Sequence, residues 1–286
     1  MRVGLLMTDA DFYAGTGFAQ AWETALRAEG ADVVRLTGLP SSWAADGPPA
    51  DLDLVVDHVL VEEVAAFAPT LQAAAVLERC GVPLLNPVSS LLTSSDKLAT
   101  AAVWAAEGLP QPRTWDLAAL TSWPADGPLV LKPALCDGAR HIRLVHDLDD
   151  AARDVEGWRQ DEAAGGERRG TALLQEWVQE PACVRLFATP DDVSLAYVKG
   201  RRPGELVTSG TVYPRVHEAP PPMAELAQRM VASLGGGLMG VDVLVAQDGR
   251  LLALEANAPF GFDVTDPAQG RWVARAALSR AAQRVA

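Results

Sequence analysis

Residues 240–257 read Gly-Val-Asp-Val-Leu-Val-Ala-Gln-Asp-Gly-Arg-Leu-Leu-Ala-Leu-Glu-Ala-Asn. Two apolar runs flank Gln247-Asp248-Gly249-Arg250, and Asp-Gly between such runs is a hairpin turn. The hairpin predicts that Asp242 and Glu255, thirteen positions apart, lie on adjacent antiparallel strands and face one another. Asn257, two residues beyond Glu255, points to the same sheet face as Glu255 because strand side chains alternate. Three oxygen donors on one face form a set suited to Mg²⁺, a hard cation that takes few protein ligands and completes its octahedron with phosphate oxygens and water. The plainer reading is a pair of solvated acids. The Leu251-Leu252-Ala253-Leu254 run argues for burial, where carboxylates need partners.

Outward from this hairpin, the chain has 286 residues and 49% hydrophobic content, enough for a sizeable core and for about two domains. Its net charge of −13 repels phosphate backbones, so nucleic acid is not an expected partner, although a local basic pocket for a small phosphate is compatible with it. Cys80, Cys136 and Cys183 are far apart and form no CxxC pair. That excludes a disulfide framework and a zinc site and fits a reducing cytoplasm. No apolar run is long enough to span a membrane. The N-terminal Val3–Met7 run, ended by Asp9 and Asp11, is too short for a signal peptide and reads as a buried strand.

The first 90 residues alternate strand and helix: strands at Val3–Met7, Ala31–Leu36, Leu52–Val56 and Val82–Asn86, helices near Phe18–Glu29 and Ala65–Cys80. This order predicts a parallel α/β domain with right-handed crossovers. The pattern then changes. Residues 91–172 read as a small α+β unit: a helix from Ser94 to about Glu107, a strand Leu129–Pro133, a turn Cys136–Arg140, a strand His141–Val145 and a helix Asp149–Gln160. Residues 173–286 read as a strand-rich final unit, with strands Leu173–Val178, Ala182–Ala188, Ser194–Lys199, Gly240–Val245 and Leu251–Glu255, and a helix at Met223–Ser233.

Lys132 closes an apolar strand just before a proline, a position suited to a point-charge phosphate ligand or to a snorkelling lysine. Lys97 lies in the first turn of a helix, where the dipole is unfavourable to a cation unless an anion sits nearby. Gln175-Glu176-Trp177-Val178 joins the middle and final units, and its backbone is suited to pairing with an adenine edge. Lys199 and Arg215 are candidates to receive a substrate carboxylate. Asp9, Asp11 and Asp57 would attract a cationic amine or merely solvate strand ends. The four histidines form no i, i+4 pair, the tryptophans are scattered, and Gly235-Gly236-Gly237 lacks the strand-first context of a dinucleotide loop.

In this order, the stretches LLNPVSSLLTSSDKLATAAVWAAEGLPQPRTW, LVLKPALCDGARHIRLV, LLQEWV, CVRLFA, GVDVL and LLALEANAPFGFD resemble the ATP-grasp superfamily. Within it they are most similar to RimK-like and LysX-like carboxylate–amine ligases. The resemblance covers residues 84–263 and implies an ATP-grasp fold: an N-terminal α/β domain (1–90), a central lid subdomain (91–172) and a C-terminal antiparallel-sheet subdomain with the metal site (173–286).

It implies ATP and Mg²⁺ (or Mn²⁺) as cofactors, with Lys97 and Lys132 on ATP phosphates and Gln175, Glu176, Trp177 and Val178 at the adenine hinge. Arg185 and Arg140 fall at arginines serving the transferring phosphate and the lid. Asp242, Glu255 and Asn257 fall at the metal ligands. The implied partners are a small carboxylate and an amine, an amino acid or peptide, in a soluble cytoplasmic enzyme that forms homo-oligomers.

Three departures stand out. The lid turn reads Cys136-Asp137-Gly138 instead of a Gly-Ser start. The usual D-x-R is Cys183-Val184-Arg185, leaving Glu176 or Glu180 to hold ribose. Residues 205–211 lack the Asn and paired glycines found in relatives. The expected activity is amide formation through an acyl phosphate with release of ADP; the alternatives are an ATP-binding sensor without ligase activity and a small-molecule phosphotransferase.

Overall fold

The structure, a computed structural model, describes residues 1–8, 17–60, 68–136, 140–179, 181–200, 215–263 and 266–285. Asp9, Asp11, residues 65–67, Asp137–Ala139, Glu180, Arg201, Arg202 and residues 205–211 lie outside them, as do the side chains of Phe18 and Arg215.

The N-terminal unit is a parallel sheet of β1 (Arg2–Leu6), β2 (Asp32–Leu36) and β3 (Leu54–Asp57), in the order β2-β1-β3. Both faces of β1 are covered, which explains its unbroken apolar run. Helix α1 (Phe18–Ala28) covers one face through Trp22 and Leu26. After the short α2 (Trp43–Asp46), helix α3 (Pro69–Arg79) covers the other through Ala73, Ala74 and Leu77.

The expected fourth strand, Val82–Asn86, is reduced to a single parallel bridge between Val55 and Leu84. Pro83 offers only its carbonyl, which accepts from Val55 N at 2.7 Å, and Leu85 N returns a bond to Val55 O at 2.8 Å. With no N–H at Pro83 and a second proline at 87, the ladder stops there.

Helix α4 (Val88–Ser95) was not expected from its Ser-rich sequence. It runs into α5 (Lys97–Ala106), whose N-cap Asp96 accepts from Leu98 N and Ala99 N. The middle sheet has the order β4-β7-β5-β6, from β4 (Thr114–Asp116), β5 (Leu129–Pro133), β6 (Arg143–Val145) and β7 (Ala172–Glu176), backed by α6 (Leu148–Ala163). β7 pairs with both β4 and β5, so the middle sheet takes in residues up to Glu176.

The last unit is a five-stranded antiparallel sheet, β10-β9-β8-β11-β12. Its strands are β8 (Ala182–Ala188), β9 (Ala196–Val198), β10 (Arg215–His217), β11 (Met239–Val245) and β12 (Leu251–Asn257). One face buries Val184, Leu186, Val241, Val243 and Ala256 against Trp104 of α5 and against Leu226 and Met230 of α7 (Pro221–Ser233). Alternation sends Arg185, Asp242 and Glu255 to the other face. The C-terminal helix α8 (Pro267–Val285) belongs in space with the N-terminal unit: Val273, Ala274 and Ala277 share a core with Trp22 and Leu26.

Candidate active site

The quoted hairpin forms in the expected register. Asp242 pairs with Glu255 and Gly240 with Asn257, and β8 adds Arg185 opposite Asp242 on the other side. A bulge between Asp242 and Val243 shifts the pairing from Glu255 to Ala253. It lets Glu255 keep the face of Asp242 while Ala253 and Ala256 both enter the core.

Asp242 is 1% exposed and takes three bonds: Arg185 Nε at 2.5 Å and Nη2 at 2.9 Å, and Lys199 Nζ at 3.1 Å. Burial pushes its carboxyl up, but Arg185 and Lys199 more than offset this and hold it below the ordinary range. Burial likewise lowers Lys199, and the Asp242 charge reverses that to a net rise. Glu255 is also held low, since Lys97, Lys132 and Lys199 outweigh burial and the Asp242 charge.

Lys97 donates through Nζ to the Cys136 carbonyl and lies 3.3 Å from Glu255 Oε1, linking the middle sheet to β12. Lys132 is buried, and its Nζ donates to Gln175 Oε1 at 2.9 Å; Gln175 Nε2 in turn donates to Thr114 Oγ1 at 3.0 Å. A neutral amide orients this ammonium without neutralising it. Burial, and then the neighbouring Lys97, lower its pKa to about 8 against the opposing pull of Glu255.

Four cations, Lys97, Lys132, Arg185 and Lys199, thus share one mostly buried region with two carboxylates. Desolvated charges demand partners, and the excess positive charge fits a polyphosphate. Glu255, engaged through Oε1, and Asn257, whose Nδ2 donates to Gly240 O at 3.3 Å, present further oxygens on the same face. That hard, sparse donor set fits Mg²⁺, which needs one or two carboxylates beside phosphate oxygens. Among the described residues no three His, Cys, Asp or Glu side chains group as a metal cage, and both oxygens of Asp242 are already engaged by Arg185 and Lys199.

Other expected residues lie elsewhere. Arg140 is ion-paired with Glu167 at the surface of the middle unit. Glu176 pairs with Arg113 at 3.4 Å, and its N–H is bonded to Arg113 O at 2.8 Å. Trp177 and Val178, half-buried, sit just past the end of β7, with Val178 packed on Cys183, Leu244 and Leu252. Sequence reasoning set Lys199 apart as a carboxylate ligand and missed its bond to Asp242. It also read Gln175 for its backbone, whereas its side chain positions Lys132.

A family model described as the ATP-grasp domain matches residues 94–261, more than half of the chain. The chain belongs to the ATP-grasp family. Solved ATP-grasp structures align over nearly the whole chain. D-alanine–D-alanine ligase from Bacillus anthracis complexed with ATP is 14% identical, covering 99% of this chain and 98% of that one at a TM-score of 0.68. A RimK-domain ATP-grasp protein from Sphaerobacter thermophilus is 22% identical, with 98% of each chain covered and a TM-score of 0.65. The ATP-grasp ligase PsnB, complexed with minimal precursor, Mg and ADP, is 19% identical over 98% of this chain and 97% of that one, at 0.64. These likenesses show the ATP-grasp fold. No described helix is long and apolar enough to cross a membrane.

Proposed function

We propose that the protein is an ATP- and Mg²⁺-dependent ligase, RimK-like in kind, that joins a small amino-acid or peptide carboxylate to an amine. The observation that carries this reading is the surplus of buried cations around Asp242 and Glu255. Lys97 and Lys132 would hold phosphate oxygens. Arg185 and Lys199 would meet the charge of the carboxylate and of the phosphoryl group as it moves. Mg²⁺, held by Glu255 and Asn257 with Asp242 beside them, would supply charge neutralisation for phosphoryl transfer.

A carboxylate oxygen takes the γ-phosphoryl group as the bond to ADP breaks. The amine nitrogen then attacks the acyl carbon, phosphate leaves with the C–O bond pair, and the nitrogen loses a proton to give the amide. The chain needs no nucleophile of its own for this. Its task is charge, orientation and exclusion of water from the acyl phosphate. Structural relatives that include a D-alanine–D-alanine ligase and the ATP-grasp ligase PsnB complexed with a precursor peptide favour amino-acid or peptide substrates.

The test is Mg²⁺-dependent release of ADP from ATP over a panel of amino acids and dipeptides, with products identified by mass spectrometry. ADP together with an amide is the expected result, and Glu255→Gln should reduce turnover at least 100-fold while keeping the fold. ATP binding without release across the panel would instead favour a nucleotide sensor, and a stable phosphate ester a phosphotransferase.

A further inference from the structure

Helix α8 carries four arginines and no acidic residue in a chain of net charge −13. On its outer side, α8 and the turn between β8 and β9 enclose a groove of about 510 Å³, lined by Arg271, Trp272, Arg275, Ser279 and Arg280 on the helix side and by Thr189, Asp191 and Asp192 on the other. This volume lies within the range of sites that hold ligands.

The charges are unevenly matched. Arg280 lies 3.4 Å from Asp191, long for a guanidinium–carboxylate pair, and Arg275 lies 2.8 Å from Glu29. Arg271 is exposed and has no ion-pair partner among the described residues. Arg271 and Arg275 stand at i and i+4 on one helix face, and only Arg275 has an acid, Glu29, beside it.

We infer that this groove binds an extended acidic peptide segment, with acidic side chains at alternate positions. The spacing selects that pattern. Residues four apart on a helix are about 6 Å apart along its axis, and side chains on one face of an extended chain repeat at about 6.7 Å. Acids at positions i and i+2 of the segment therefore meet Arg271 and Arg275 in register. The intervening side chains turn to the opposite wall, where Asp191 and Asp192 disfavour further acids. A run of consecutive acids would set half of its carboxylates against that wall. Trp272 beside the arginines offers an apolar surface to the segment's backbone. This inference is independent of the ligase reading, because it concerns binding to a different face.

The probe is a fluorescein-labelled peptide Gly-Glu-Gly-Glu-Gly-Glu-Gly, titrated with the 286-residue protein and followed by anisotropy. Its partner is Gly-Gly-Glu-Glu-Glu-Gly-Gly, of equal charge. The alternating peptide should bind at least tenfold tighter, and its affinity should fall at least fivefold between 50 and 300 mM salt, in line with screening. Arg271→Glu should weaken it at least tenfold, whereas Arg79→Glu on the distant α3 should leave it unchanged. Arg271→Gln, which removes the positive charge of an exposed side chain without adding a negative one, should weaken it at least threefold and guards against a folding defect in the first variant. Equal affinity for the two peptides, no saturable binding, or indifference to both Arg271 variants would overturn the inference. So would inorganic phosphate at 5 mM displacing the peptide fully, which would make the groove a simple anion site.

Discussion

Lys132 is the residue where function and stability pull apart. Its ammonium is buried against a neutral amide, and burial brings its pKa to about 8 from 10.5. The unfolded chain therefore binds the extra proton more readily between about pH 8 and 10.5, so the Lys132 contribution to stability improves as pH rises through that window and is at its worst below it. Lys132→Met should accordingly raise the melting temperature of the nucleotide-free protein at pH 7 by ~2–4 °C, while abolishing ATP-dependent turnover. A melting temperature that drops would mean that Lys132 is stabilised by its surroundings and not held there for a ligand. The same titration predicts that ATP affinity in the wild type weakens above about pH 8, by up to tenfold per pH unit, as the ammonium that holds phosphate is lost. Isothermal titration calorimetry at pH 7, 8 and 9 would measure it. Lys132 was legible as a candidate because its place before Pro133 is apparent in the chain. Its partner Gln175, 43 residues away, was not, since the pairing depends on β5 lying beside β7.

The strand pairing β8–β11–β12 builds the site as a unit, and Asp242 at its centre joins Arg185 on one neighbouring strand to Glu255 on the other. Asp242→Asn would leave two mostly buried cations without their carboxylate, at a cost of about 3–5 kcal/mol at pH 7. The carboxyl is held below its ordinary 3.8, so its contribution is fully present above that pH and is lost as pH falls through the lower folded value. The gap between wild type and variant in urea unfolding should therefore narrow below pH 4; a gap that persists unchanged at pH 3 would remove the ion pairs from the account. The β11–β12 hairpin could be read in the chain because alternation and Asp-Gly are local signals. Helix α4 could not, since serines favour turns over helix interiors, and here Ser90 Oγ is satisfied by Leu234 O at 2.6 Å, a contact across 144 residues. Lys199 was seen as a cation near the substrate, but its bond to Asp242 follows from the order of β9, β8 and β11. That order is a property of the sheet, not of any window of sequence.

At the scale of the whole molecule, the N-terminal sheet is tied to the ATP-grasp sheet by a short polar link. Asp57 Oδ1 accepts from Asn86 N at 3.0 Å, and Asn86 Oδ1 accepts from Gly237 N and Leu238 N, each at 3.1 Å. Asp57 Oδ2 is buried with no hydrogen-bond partner among the described residues, and burial, assisted by Glu78, pushes its carboxyl up to about 8. The folded protein keeps that proton between pH 3.8 and about 8 while the unfolded chain releases it, so this group's contribution falls as pH rises across that window. Asp57→Asn should flatten that slope in thermal melts between pH 5 and 8, and an unchanged slope would show that Asp57 is already ionised. Gly237 is the tightest point of the link, because a Cβ there would meet Leu85 O at 1.9 Å. The obstacle is a backbone carbonyl, with no flexible side chain to yield, so Gly237→Ala must separate the two units. The core shared by Trp22, Phe187, Phe260 and Val273 should make wild-type unfolding a single calorimetric transition. Prying the units apart at Gly237 should split it in two or lower its midpoint by at least ~4 °C, the shift expected for overpacking of about 1–3 kcal/mol. Because Leu238 leads directly into β11 and Asp242, the same variant should weaken ATP binding although it touches none of the charged residues. Unaltered melting and unaltered ATP affinity together would show that the two sheets move independently.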